Sequence, residues 1–304
     1  MPAASGARSP TGGWRDLYVS SRDGLRLHAR DYGDRASPWG PVICLPGLTR
    51  NAADFHELAS HLANHRHRPR RVLALSFRGR GLSEHDRDWR NYTPQTEASD
   101  VLDVMVAAGV PHAAFVGTSR GGLVIMRLAA MRPSVLKAAV LNDIGPEIDQ
   151  RGMLRIKKTL EGFPRPASWE EASEFMKRAY GHAFPRLGPD DWMAYARKTY
   201  LEHEGRPALA YDPALRRHLN GIAFDRPLPA IWPLFAALAN VPLMAIRGAN
   251  SDILAAETLA EMAAQRPDLD VFEVADAGHP PHLVSNHALS RVSRFLTRAE
   301  DDKP

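Results

Sequence analysis

The chain has 304 residues, 44% hydrophobic and 24% charged, a globular balance that excludes a largely disordered, collagen-like or disulfide-framework protein. At about 100–200 residues per domain, this length holds one large domain or one domain with a sizeable insertion. The 39 Lys and Arg against 35 Asp and Glu leave a net charge of +4 with no long basic block behind it, so no nucleic-acid partner is expected.

Residues 1–13 hold no apolar stretch of signal-peptide length, and nowhere do about 18 consecutive apolar residues occur, so neither that export route nor a membrane span is expected. The single cysteine, Cys44, excludes an intramolecular disulfide, and the expected compartment is the cytoplasm. Residues 1–15 are expected to be a flexible start, and Ala299–Pro304 a frayed, charged end.

In chain order, Leu17–Ser20 and Leu25–Asp31 flank Arg22-Asp23-Gly24, a turn signal that predicts an antiparallel hairpin. Short apolar runs follow, each ending in a turn signal: Val42–Leu45 into Pro46-Gly47, Arg71–Phe77 into Arg78-Gly79-Arg80-Gly81, Ala113–Gly117 into Thr118-Ser119-Arg120-Gly121-Gly122, then Ala138–Leu141. Between Gly145 and Val241 the strand rhythm gives way to helix-period patterns at Trp169–Ala179, Asp190–Glu202 and Pro229–Ala239, and strands resume at Pro242–Ile246 and Asp270–Val274. Buried runs alternating with helical patterns predict an α/β fold with a mostly parallel central sheet flanked by helices. The long break is too large for a structureless loop. The predicted organisation is a core of residues 16–145 and 241–298 with an inserted helical cap at 146–240; an independent second domain is the alternative for that segment.

Gly117-Thr118-Ser119-Arg120-Gly121 fits G-x-S-x-G and lies where a predicted strand meets a predicted helix, the context that makes a serine on a sharp turn a candidate nucleophile. Small residues two positions either side let strand and helix pass closely. A serine hydroxyl needs a base, normally a histidine oriented by a carboxylate. His279 follows the last strand in Asp276-Ala277-Gly278-His279-Pro280-Pro281, and Asp252 follows the preceding strand in Arg247-Gly248-Ala249-Asn250-Ser251-Asp252. Asp143, just past another strand, is the alternative acid, and His282 is the local rival for the base.

These motifs, in the chain order Ser, Asp, His, resemble an α/β-hydrolase over roughly Asp16 to Leu296, most nearly a proteobacterial capped, esterase- or lactonase-like branch with segments such as Leu45-Pro46-Gly47-Leu48-Thr49-Arg50-Asn51 and Leu141-Asn142-Asp143-Ile144-Gly145-Pro146. The resemblance implies an oxyanion hole made by the backbone N–H groups of Leu48 and Arg120. The chain departs from the family where Pro46 replaces a usual His, and where Ser76 replaces the Asp that opens the Arg-Gly-x-Gly-x-Ser stretch. That stretch is read as scaffold.

Other candidates carry plainer readings. His56, His61, His65 and His67 among arginines read as a solvated basic surface, Cys44 as core packing, and Trp169, Trp192, Tyr195, Tyr200 and Trp232 as mainly cap packing with one or two pocket walls. The expected function is a serine hydrolase acting on a small or medium carboxylic ester, thioester or lactone, with no metal or organic cofactor. The same machinery serves an acyltransferase or a C–C bond hydrolase, and a non-catalytic binding protein would keep only the pocket.

Overall fold

The computed structural model describes residues 13–222 and 227–301. Eight strands form the central sheet: β1 (Trp14–Ser20), β2 (Arg26–Tyr32), β3 (Trp39–Leu45), β4 (Arg70–Ser76), β5 (Ala113–Thr118), β6 (Leu136–Asn142), β9 (Leu243–Gly248) and β10 (Asp270–Val274). Their spatial order is β1-β2-β4-β3-β5-β6-β9-β10. The hairpin pairs Ser20 with Arg26 across the predicted turn, β2 runs antiparallel to β4, and every other neighbouring pair is parallel.

Successive side chains of a strand point to opposite faces, and the core divides accordingly. Ile43, Leu45, Leu73, Leu75 and Phe115 enter one hydrophobic cluster, while Val42, Cys44, Val72, Ala74 and Val116 enter the other. Helices α2 (Pro94–Ala108), α3 (Arg120–Met131) and α9 (Ala256–Gln265) cover the first face; α1 (His56–Ala63) and α10 (Asn286–Asp301) cover the second. Both faces are therefore dry, and a fully buried Leu45 or Phe115 contributes about 2–3 kcal/mol.

Between β6 and β9 the chain forms α4 (Gln150–Glu161), α5 (Trp169–Tyr180), α6 (Pro189–Thr199), a hairpin of β7 (Tyr200–His203) and β8 (Arg206–Leu209), α7 (Arg216–Asn220) and α8 (Trp232–Ala236). The hairpin replaces the end of the helix expected over Asp190–Glu202. Its Glu204-Gly205 turn has positive φ at both residues, 51° and 77°, the conformation that tight hairpins select. Phe235 and Leu238 of the α8 segment join the sheet cluster, and Met153 and Ile156 of α4 pack against it. α5 and α6 have their own cluster around Met176, Phe184 and Trp192.

Two terminal expectations change. β1 starts at Trp14, inside the segment expected to be flexible, and the rest of that segment, residues 1–12, lies outside the described residues. At the other end, α10 continues to Asp301, where Glu300 pairs with Arg70 at 2.6 Å and Asp301 with Arg68 at 2.7 Å. These ion pairs tie Glu300 and Asp301 down instead of leaving them frayed; residues 302–304 lie outside the described residues. Among the described residues no helix is long and apolar enough to cross a membrane.

Candidate active site

Ser119 occupies the turn from β5 into α3 with φ 51° and ψ −111°, a conformation costly for a residue with a Cβ and characteristic of functional turns. Its amide donates to the Asn142 carbonyl at 2.9 Å. The turn closes only because its flanks lack side chains: a Cβ on Gly121 would lie 2.1 Å from the Leu45 carbonyl oxygen, and one on Gly117 would lie 2.5 Å from the Gly121 backbone.

His279, buried in the loop between β10 and α10, turns Nε2 to Ser119 Oγ at 2.9 Å and Nδ1 to Asp143 Oδ2 at 2.8 Å. A carboxylate only accepts hydrogen bonds, so Nδ1 carries the proton and Nε2 is free to accept from the serine hydroxyl. The structure thus brings together Ser119 and His279 as read from the sequence, but the acid at the imidazole is Asp143 and not Asp252.

The physical reason lies in the two carboxylates' surroundings. Asp143 follows β6 directly in a left-handed conformation, φ 61°, and is fully buried. Oδ1 accepts from the Gly248 amide at 2.9 Å, while Oδ2 accepts from Ser251 Oγ at 2.6 Å besides the imidazole. The loop after β9 therefore supplies donors to the acid in place of the acid itself. Asp252 in that loop turns away into a two-pronged ion pair with Arg155 of α4, with Nε to Oδ2 at 2.5 Å and Nη2 to Oδ1 at 2.8 Å. Burial opposes its ionisation, but the hydrogen bonds and charge of Arg155 outweigh that and hold its carboxyl below the usual range. The pair ties the loop after β9 to α4.

His282 does not compete for the base position. It is stacked between Phe184 and Tyr195 of the cap, with ring centroids 4.7 Å and 4.6 Å away. A cavity of about 260 Å³ is lined by Thr118, Asn142, Tyr195, Pro280 and His282, among them the chain neighbours of Ser119 and His279. Asn142 links the nucleophile strand to the histidine loop, its Nδ2 donating to Thr118 Oγ1 at 3.1 Å and to the Pro281 carbonyl at 3.0 Å.

Arg120 opens α3, and a first-turn amide has no intrahelical acceptor. Leu48 sits in the loop after β3, its carbonyl accepting from Arg80 Nε at 2.8 Å. Sequence reasoning passed over Ser251, Asn142 and Arg80. Ser251 lies next to Asp252, but nothing in the sequence signals that the serine hydroxyl, and not the neighbouring carboxylate, joins the acid–imidazole pair.

A mostly parallel sheet with Ser, His and Asp meeting beyond its carboxyl edge is the architecture of an α/β hydrolase. The chain belongs to that family and is a hydrolase: the sequence model for the alpha/beta hydrolase fold matches residues 40–285. It is 31% identical to the 3-hydroxybutyrate-oligomer hydrolase of Cupriavidus necator, over 90% of this chain and 94% of that protein. It is 25% identical to the 2-(acetamidomethylene)succinate hydrolase of Mesorhizobium japonicum, over 92% and 96%. Among solved structures, an alpha/beta hydrolase from Novosphingobium aromaticivorans superposes with a TM-score of 0.84 at 37% identity, covering 95% of this chain and 99% of that one.

Proposed function

We propose that the protein cleaves small or medium carboxylic esters, thioesters or lactones through an acyl-enzyme on Ser119. The observation that carries the reading is the unbroken relay from Ser119 Oγ to His279 at 2.9 Å and from His279 to Asp143 at 2.8 Å. His279 takes the hydroxyl proton as Oγ attacks the carbonyl carbon. The oxyanion that forms accepts from the amides of Leu48 and Arg120, the latter at a helix N-terminus where partial positive charge gathers. Collapse expels the alcohol, thiol or ring oxygen, which takes the proton from His279. Water then repeats the sequence on the acyl-enzyme and frees the acid. Asp143 keeps the imidazole in the working tautomer and stabilises its cation.

Likeness over nearly full length to a 3-hydroxybutyrate-oligomer hydrolase makes short hydroxyacid oligoesters the first substrates to try. The test is a panel of 3-hydroxybutyrate dimer and trimer, p-nitrophenyl esters of graded length, and γ- and δ-lactones, each with the wild type and Ser119→Ala. Turnover of at least one class that Ser119→Ala abolishes supports the reading. Turnover that survives in Ser119→Ala, or none with any member of the panel, contradicts it.

A further inference from the structure

We propose that Arg80 and Glu97 are positioning residues for the oxyanion hole: a buried Arg80–Glu97–Arg120 chain locks the Leu48 loop and the first turn of α3 in mutual register. The inference rests on the reading of Leu48 and Arg120 as the two donors.

Arg80 and Glu97 both have no solvent exposure. Arg80 uses its whole fork: Nε donates to the Leu48 carbonyl at 2.8 Å, Nη1 donates to the Arg78 carbonyl at 2.6 Å, and Nη2 lies 2.8 Å from Glu97 Oε1. That last contact is ionic, outside hydrogen-bond geometry, and neither atom has a hydrogen-bond partner among the described residues. The other oxygen of Glu97 accepts from Arg120 Nε at 2.7 Å, and Arg120 Nη2 donates to the Tyr92 carbonyl at 2.7 Å. One carboxylate thus joins two guanidinium groups, one reaching each donor residue.

The chain acts on the right bonds. The peptide that carries the Leu48 amide is held on its carbonyl side by the Arg50 amide, which donates to the Gly47 carbonyl at 3.1 Å. The next peptide is held by Arg80 through the Leu48 carbonyl, so both planes flanking Leu48 are fixed. On the other side, the Ser119 carbonyl accepts from the Gly122 amide at 2.9 Å, and Glu97 anchors the Arg120 side chain. Burial pushes the Arg80 guanidinium toward its neutral form, and Glu97 works against that. Apolar side chains of similar volume often fill such positions as stably as buried ions do, so stability is a weak account of the network. A fixed spacing between two amides accounts for it better, because an oxyanion hole works only when its donors are placed in advance.

The test uses the full chain and Arg80→Lys, whose single ammonium cannot reach both the Leu48 carbonyl and Glu97 as the fork does. Four readings are taken: kcat and KM for p-nitrophenyl butanoate, Ki for an alkyl trifluoromethyl ketone, Ki for butanoate, and the pH profile of kcat/KM. The ketone adds Ser119 Oγ and leaves an oxyanion in the hole; butanoate, the product, does not. Ketone inhibition of the wild type must first disappear in Ser119→Ala. If it does not, the proposed function falls and this inference falls with it, whereas the Arg80→Lys outcomes bear on this inference alone. Arg80→Lys should lower kcat by about 10–100-fold and raise the ketone Ki by a similar factor. KM and the butanoate Ki should stay within about 3-fold, and the midpoint of the acidic limb should not move. Unchanged kcat, a loss confined to KM, or equal weakening of ketone and butanoate overturns the proposal. If Arg80→Lys shows no cooperative thermal transition, Arg120→Gln, at a side chain already 15% exposed, carries the same test with about a 10-fold loss in kcat expected; unchanged kcat there overturns it.

Discussion

Acid should destabilise this protein through one buried imidazole. Burial pushes the pKa of His282 from 6.5 down to about 4, and the charge of nearby Arg50 acts in the same direction; the ring lies between Phe184 and Tyr195, and its Nε2 has no hydrogen-bond partner among the described residues. In the unfolded chain the same ring takes a proton below about pH 6.5. The folded-state pKa is depressed, so this stabilisation is fully present above the unfolded value and is lost as pH falls from 6.5 toward 4. With those two values, linkage gives a loss of about 2 kcal/mol at pH 5 relative to pH 7.5, rising to about 3 kcal/mol below pH 4. Urea unfolding of the wild type and His282→Phe at pH 7.5 and pH 5 isolates this contribution, since phenylalanine keeps the stack and does not titrate. The wild type should lose about 2 kcal/mol more than the variant between the two pH values. Equal losses in both proteins would refute the reasoning.

The two candidate acids separate by mutation: Asp143→Asn should lower kcat by about 10³–10⁴-fold through the wrong imidazole tautomer, whereas Asp252→Asn should cost less than about 10-fold, mainly by loosening the Arg155 contact. Steady-state kinetics that rank them the other way would restore Asp252 as the acid. Gly121→Ala forces a Cβ to within 2.1 Å of the Leu45 carbonyl, and either insoluble protein or a loss of about 3 kcal/mol is expected by chemical denaturation. Arg78→Met leaves Asp100 and Asp86 without the guanidinium that meets each at 2.6 Å. A loss of about 3–5 kcal/mol at neutral pH is expected, partly recovered on acidification because burial already raises Asp100 to about 6.

Much of this fold was legible because its signals are local. Apolar runs such as Val42–Leu45 and Ala113–Gly117 became β3 and β5, since a strand buried on both faces leaves no polar alternation to misread. The serine turn was legible for the same reason: the glycines at 117 and 121 are required within five residues. The acid was not. Asp143 and Asp252 both stand past strand ends, and which one faces His279 depends on a left-handed backbone at 143 and on Arg155 arriving from a distant helix. The β7–β8 hairpin was missed because Tyr200–Glu202 continues the helical periodicity of Asp190–Thr199, and only Glu204-Gly205 marks the reversal. The glycines around Arg80 signal only a tight loop; an arginine with no exposure is a tertiary fact that no spacing announces.

The claim most exposed to experiment is that His279 and Asp143 make the Ser119 hydroxyl nucleophilic. Native protein treated with a fluorophosphonate and analysed by peptide mass spectrometry should carry the adduct on Ser119, with little labelling in His279→Ala and none after heat denaturation. Label on another residue, or equal labelling of native, His279→Ala and denatured protein, would contradict the account.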